Sequence, residues 1–171
     1  MGFYVNSDDF TGKFALSQGL YNTVDIDYYI ERFELTYLTE LFGVDLFNLY
    51  YANANGQPGN IPTEARFLKV YNAFTEQSGV NLYEMLISKG LKDMLIGFIY
   101  FEAIRDLITT ATPLGMQKQK NELSEGAYSP IYERYNESVK TYQAIQKYMY
   151  YNFSSDYPEF RGVNKYFNYW I

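Results

Sequence analysis

Hydrophobic residues recur with a helical period along the most apolar stretch of the chain, Ser88 to Thr110. Within it Leu91, Leu95 and Phe98 follow at three- and four-residue spacing, and few positions of the first three turns are polar. A helix that is apolar on nearly every side needs neighbours on several sides. We therefore predict a central helix over 88–110 with Ser88 as its N-cap. We expect it to lie in the core; the alternative is that part of its surface contacts another subunit.

Two other stretches carry an amphipathic helical pattern. Apolar residues from Ile26 to Leu41 predict a first long helix that Gly43 ends, and Asp45 begins a second, short one. Ser129 and Pro130 form a typical helix start, a capping hydroxyl followed by proline at the first helical position. The pattern after them predicts a long helix from Ser129 to about residue 152, with one apolar face: Ile131, Tyr135, Val139, Tyr142, Ile145 and Met149.

The segments between these helices are predicted from turn chemistry and length. Residues 53–62 are rich in Gly, Asn and Pro and predict a loop. A short helix capped by Thr63 is expected to follow, and 75–87 fits either a loop or a brief strand pair. The polar connection 108–129, around Pro113 and Gly115, is long for a turn between helices, so it is a candidate functional loop.

Both ends of the chain lack a helical period. Residues 1–24 predict an extended arm with a short strand at Phe3–Val5. The last six residues contain a single polar one, Asn168, and an exposed apolar tail of this kind is an aggregation hazard unless it docks. The tail therefore either folds back on its own domain or anchors in a partner. The predicted fold is all-α: a bundle of four to five helices over 25–153, an arm at 1–24 and a docking tail at 154–171.

Aromatic residues are unusually frequent. The 171 residues include 20 Tyr, 13 Phe and 1 Trp, about 20% of the chain. Such residues, Tyr above all, are enriched at protein interfaces, where one end of the ring packs and the other stays wet. The excess favours a protein that assembles with others, although the base composition of the genome is another explanation.

Charge and composition exclude several classes of function. The net charge is −6, and residues 1–60 hold eight acidic residues against Lys13 and Arg32, while the rest of the chain carries twelve of each sign. Binding to nucleic acid through phosphate neutralisation is therefore not expected. The chain contains no Cys and no His, which removes disulfides, thiolate metal sites and histidine chemistry. No apolar run is long enough for a membrane span.

Carboxylate pairs are the remaining route to acid–base or metal chemistry. Asp25 and Asp27 face different sides of a helix, and Glu133 and Glu137 share a face with lysines, as on a solvated surface. Asp8 next to Asp9 is weak support for an oxygen-ligand metal site. We expect no catalytic residue, no metal and no cofactor.

Several blocks of the sequence resemble one family. GLKDMLIGFIYFEAIRD (90–106), TPLGMQKQKNELSE (112–125) and YERYNESVKTYQAIQKYM (132–149) are similar to small proteins from the virion-structure region of tailed phages of Bacteroidetes, including the crAss-like phages. DIDYYIERFELTYLTELFGVDLF (25–47) and YPEFRGVNKYFNYWI (157–171) fit the same pattern. The resemblance covers residues 25–171 and leaves the arm outside it.

The resemblance implies a mostly helical head–tail connector that forms a homo-oligomeric ring, expected to be a dodecamer, beneath the portal protein of the virion. It implies contacts with the portal and with other neck or tail proteins, and no catalytic residues. We expect the tail and the long loop to make these contacts, through Tyr157, Phe160, Tyr166, Phe167, Tyr169, Trp170, Ile171, Pro113, Leu114 and Met116. The acidic residues of 25–45 are expected to face the DNA channel or the portal.

Three alternatives stay open at this point. Within the same neck, the chain fits a stopper or tail-completion protein as well as an adaptor ring. From another class, it fits a non-catalytic adaptor that binds one acceptor protein through its aromatic surface. An enzyme that uses a carboxylate-bound metal is the third alternative, and the sequence offers it the least support.

Overall fold

The computed structural model has five α-helices, two β-hairpins and three short 3-10 helices among the residues that it describes. It describes residues 2–15, 26–78, 83–112, 115–118 and 124–167, with side chains for all of these outside 107–129. The helices are α1 (Ile26–Phe42), α2 (Val44–Ala54), α3 (Ala65–Tyr71), α4 (Leu91–Ile108) and α5 (Ser124–Tyr151). The strands are β1 (Phe74–Gln77), β2 (Met85–Ser88), β3 (Thr109–Thr112) and β4 (Gly115–Lys118). The predicted all-α bundle is confirmed.

Helix α4 is the centre of the bundle. It packs along α5 and against α1, and its residues from Met94 to Ile104 are buried. The approach to α5 is close at Gly97, where a Cβ atom would lie 2.0 Å from Ser138 Oγ. The all-round apolar pattern of this helix is therefore satisfied by the chain's own core.

The start of α4 differs from the prediction. Ser88 belongs to β2 and its Oγ accepts a hydrogen bond from the N–H of Gly90 at 3.1 Å. Gly90 has φ of +95°, a conformation that glycine adopts readily, and the helix begins at Leu91. Strand pairing thus holds Ser88 away from the capping position.

The start of α5 was also wrong in the prediction. The helix begins at Ser124, and Pro130 lies inside it. Proline lacks a backbone N–H, so inside a helix it removes one helical hydrogen bond but need not end the helix. The Ser129–Pro130 signal is therefore not the boundary. Likewise Thr63 is not a helix cap, because Glu64 occupies the N-cap position of α3.

Two antiparallel hairpins complete the architecture. In the first, β1 pairs with β2 in the register Thr75↔Ile87 and Gln77↔Met85, which decides the ambiguous segment 75–87 in favour of a strand pair. One face of this hairpin packs on α5, while Met85 and Ile87 are exposed. In the second, β3 pairs with β4 inside the connection that was predicted as a long loop.

The described part of the N-terminal arm packs onto the bundle. Glu34 on α1 is buried, and its carboxylate accepts the backbone N–H groups of Phe3, Tyr4 and Val5. These amides therefore pair with a side chain instead of forming the predicted strand. Burial raises the pKa of Glu34, and the three amide hydrogen bonds and the charge of Lys92 oppose that rise.

Much of the aromatic excess lies inside the chain's own core. Thirteen Tyr and Phe side chains are buried among the described residues: Tyr4, Phe10, Phe14, Tyr37, Phe42, Tyr50, Phe67, Phe74, Phe98, Tyr100, Phe101, Tyr142 and Tyr157. Many contact one another at ring separations of 4.6–6.1 Å, the range of favourable aromatic pairs. The aromatic content therefore serves folding first, and only the exposed rings remain for partners.

Candidate interaction surface

The end of α1 receives a segment from the far end of the chain. Helix ends leave backbone carbonyls without helical partners, and Gly43, with φ of +78°, stops α1 after Phe42. The carbonyl of Phe42 accepts the N–H of Arg161 at 3.1 Å, and that of Glu40 accepts the N–H of Val163 at 2.7 Å. Residues 161–167, which we name the strap, thus cap α1.

Two glycines allow this close approach of backbone to backbone. A Cβ atom at Gly162 would lie 2.1 Å from the carbonyl oxygen of Leu41, and one at Gly43 would lie 2.8 Å from the carbonyl carbon of Arg161. No larger residue fits either position without moving the strap away from α1. The strap's position is therefore specified by the sequence on both sides of the contact.

Helix α5 holds the other side of the strap. The amide Nε2 of Gln146 donates to the carbonyl of Val163 at 2.9 Å, and that of Gln143 donates to the carbonyl of Lys165 at 2.8 Å. The hydroxyl of Tyr142 also donates to the carbonyl of Val163. The strap therefore lies between the end of α1 and the face of α5 that carries Tyr142, Gln143 and Gln146.

Lys165 places its ammonium group in a cage of aromatic rings. Its Nζ lies 4.4 Å from the ring centre of Tyr37, 5.6 Å from that of Phe98 and 5.8 Å from that of Tyr142. The same atom lies 2.6 Å from Glu40 Oε2, an ion-pair distance, and the lysine side chain is 16% exposed. Aromatic faces attract cations, and the attraction is strongest where water is excluded. This cation cage is the most specific feature of the strap.

The cage stays neutral on its aromatic side. Burial raises the pKa of Tyr37, and the hydrogen bond to Glu102 at 2.6 Å raises it further. Burial and the charge of Glu40 raise the pKa of Tyr142. Both rings therefore keep their hydroxyl protons at physiological pH, and the negative charge near the ammonium group comes from carboxylates.

The residues predicted to contact partners fall into three groups. Tyr157 is 1% exposed and donates its hydroxyl to the carbonyl of Arg66 at 2.6 Å, so it anchors the tail to its own domain and presents no ring to a partner. Phe160 and Phe167 are half-buried against the core. Tyr166 is 76% exposed and is the described residue of the set that best fits a partner contact.

The remaining predicted contact residues lie outside what can be described. Pro113, Leu114, Tyr169, Trp170 and Ile171 fall outside the described residues, and of Met116 the structure gives only the backbone, in β4. For these positions the prediction stays a prediction.

An open groove runs beside the strap. It is lined by the last turns of α5 and by the strap, including Lys147, Tyr150, Tyr151, Asn164 and Tyr166. Tyr150 is 67% exposed, so two largely exposed tyrosines lie on the lining of one groove. Tyr150 lies on α5 away from the apolar face that the sequence pattern predicts, and its position off that face was the available signal of an exposed aromatic residue.

The acidic surplus is only partly on the surface. Asp27, Glu31 and Asp45 are exposed on α1 and α2, whereas Glu34 is buried and occupied by the arm. Among the described residues no group of acidic side chains is arranged to hold a metal ion. No helix within the described ranges has the length and apolar content needed to cross a membrane.

Comparisons with known proteins give no relative. No protein-family model, no curated protein and no solved structure matches this chain.

Proposed function

We propose that this chain is a structural subunit of a ring that joins the portal to the tail in a tailed phage, a head–tail connector without catalytic activity. The observation that carries the proposal is the exposure of Tyr166, at 76%, together with Tyr150 at 67%, along the groove where the strap leaves the bundle. The resemblance of the helical blocks to phage neck proteins supplies the context.

This surface has the composition of a protein interface. Interfaces are enriched in Tyr and Trp, which bury a large apolar area and keep a polar group for hydrogen bonds. Directly beyond the strap, the sequence continues with Asn168, Tyr169, Trp170 and Ile171. The groove with the two exposed tyrosines therefore lies next to the point where this aromatic sequence begins, and we assign the portal contact to that groove.

The acidic surface of α1 and α2 fits a place beside passing DNA. Asp27, Glu31 and Asp45 are exposed there, against the single exposed base Arg32 in the described part of these two helices. A surface of net negative charge repels phosphates and lets DNA slide without binding. We therefore assign this face to the channel of the ring.

The test is binding to the portal protein of the same phage genome. The structure shows where to cut: removing residues 164–171 would delete Lys165 and its cage contacts, whereas removing 168–171 leaves the strap intact. We combine the deletion of 168–171 with Tyr166→Ser and measure portal binding by surface plasmon resonance. The matched control is Tyr83→Ser, the same change at a tyrosine that is 98% exposed on the first hairpin.

The proposal expects at least a tenfold loss of portal affinity for the combined variant, with unchanged helical circular dichroism, and wild-type affinity for the control. Portal binding that survives the combined change removes the tail from the interface. Wild-type protein that binds the portal as one copy per ring would instead indicate a plug-like stopper.

A further inference from the structure

The strap is attached to the bundle like a bound peptide. None of its six side chains is fully buried, and Arg161, Val163, Asn164 and Tyr166 are exposed. Its backbone is held from both sides: N–H groups donate to carbonyls at the end of α1, and carbonyls accept from the side-chain amides of two glutamines of α5. The strap contributes only the half-buried Phe167 and the caged Lys165 to the packing of the bundle. Because these contacts are few and the rest of the strap is at the surface, we expect the strap to leave without unfolding the bundle.

We name the site that holds the strap, which is the cation cage together with the end of α1, the dock. Two strap residues determine which segments the dock can bind. Gly162 is required because a Cβ atom would clash with the carbonyl of Leu41. Lys165, three residues later, is required because its ammonium group fills the cation cage beside Glu40. Backbone hydrogen bonds provide affinity for any extended strand, and alternate side-chain sites provide the specificity. The dock therefore selectively binds an extended segment with the pattern Gly-x-x-Lys.

We propose that the cation cage and the end of α1 form a peptide-binding site for an extended lysine-bearing segment, that the chain's own strap fills it in a single subunit, and that in the ring the strap of a second copy fills it. The last part rests on the proposed ring. The ligand class is a strand with a primary ammonium side chain.

A second copy is the occupant that the molecule itself indicates. Its strap has the identical sequence and makes the identical contacts, so exchange between subunits loses no interaction, as in domain swapping. Tyr157 anchors the chain just before the strap, and only residues 158–160 separate the anchor from the dock. Three extended residues span about 10 Å, so the exchange needs neighbouring docks to lie close together, as in a tight ring.

The first experiment opens the dock in the full chain. Lys165→Glu places a second carboxylate next to Glu40 and expels the strap, which hydrogen exchange detects as lost protection of the Arg161 and Val163 amides. The control is Lys140→Glu, the same charge change at an exposed lysine of α5. Retained protection in the Lys165→Glu chain would overturn the role of the cage.

The second experiment measures the site directly. A fluorescent peptide of residues 158–167 is titrated into the Lys165→Glu chain, and a peptide with acetylated lysine serves as the comparison. We expect saturable binding of the lysine peptide, at least tenfold weaker binding of the acetylated one, and at least tenfold weaker binding to the wild-type or Lys140→Glu chain. Equal binding of both peptides, or none, would overturn the site.

The third experiment identifies the donor of the strap. A photo-crosslinking residue replaces Val163, whose side chain is 59% exposed. Chains labelled with ¹⁵N are mixed with unlabelled chains and assembled on the portal protein, and crosslinked peptides are weighed by mass spectrometry. Pairs of one heavy and one light peptide are expected. Crosslinks only within one chain, or no assembly at all, would overturn the exchange, while the peptide titration judges the dock independently of ring formation.

Discussion

The backbone N–H of Val163 donates to the carbonyl oxygen of Glu40 at 2.7 Å, so the end of the first long helix is completed by a residue more than 120 positions away. Without the strap, the carbonyls of Glu40 and Phe42 would turn to water. This relation ties the end of α1, the tail and α5 into one unit, and it predicts what changes when the tail is disturbed.

Replacing Gly162 by alanine should release the strap. The added Cβ would lie 2.1 Å from the carbonyl of Leu41, and an overpacked contact of this kind typically costs about 1–3 kcal/mol. The amides of Arg161 and Val163 are bonded to the end of α1 in the wild type. We expect their protection against hydrogen exchange to fall in Gly162→Ala while helical circular dichroism stays constant.

The control for this change is Asn164→Ala, an exposed position of the same strap. It should leave the protection of the Arg161 and Val163 amides at the wild-type level. Wild-type protection in Gly162→Ala would show that the strap does not need the close approach at this glycine.

Glu34→Ala should detach the N-terminal arm. The change removes the acceptor of three backbone amides, and we expect a loss of about 2–3 kcal/mol in the free energy of unfolding, limited because the freed arm can be rehydrated. Hydrogen exchange at Tyr4 and Val5 should accelerate. Glu133→Ala, an exposed position on α5, should change stability by less than about 0.5 kcal/mol. Similar losses in both variants would contradict the role of Glu34.

The stability of the wild type relative to Glu34→Gln should rise as the pH falls toward 4.5, the ordinary pKa of this group. Burial raises the pKa of Glu34 in the folded chain, so the folded state binds a proton at a higher pH than the unfolded state does. The stability that protonation of Glu34 adds is fully present below the pKa of this group in the unfolded chain. It is lost as the pH rises through the pKa of the group in the folded chain. Denaturation curves of both proteins between pH 7.5 and 4.5 test the sign, and a relative loss on acidification would contradict it.

Glu137 should show the opposite pH dependence. The hydrogen bond from Lys13, and then that from Lys89 at 2.9 Å, lower the pKa of Glu137. Its stabilising contribution is therefore present above the unfolded pKa and is lost as the pH falls through the folded one. Since its side chain is 40% exposed, Glu137→Gln should cost less than about 1 kcal/mol at pH 7. Glu133→Gln on the same helix is the control; a larger cost there would contradict the account.

The sequence pattern was sufficient to predict the helices in which apolar residues recur with a regular helical period. The periods of α1 and α4 and the stop at Gly43 were predicted correctly, because a helical face and a glycine with positive φ leave a local signal. The start of α5 was missed because Pro130 marks a first helical turn and an interrupted helix equally well.

Long-range polar contacts left no signal that could have been found. In the sequence, Glu34 looks like one of several acidic residues on an exposed helix face. Only the structure shows that the arm's backbone amides surround it. Lys165 reads as an ordinary tail lysine, and its cage is assembled from α1, α4 and α5. In both cases the partner is set by tertiary packing and not by spacing along the chain. The exposed Tyr166, by contrast, belongs to the aromatic tail, which its composition alone predicted to contact a partner.

The number of copies of this chain on one portal ring tests the central claim most directly. Charge-detection mass spectrometry of the wild-type chain mixed with the portal protein that we propose as its partner gives that number from the mass. The account predicts twelve copies per portal ring. A chain that stays monomeric in the presence of the portal and adds no mass to it would contradict the account.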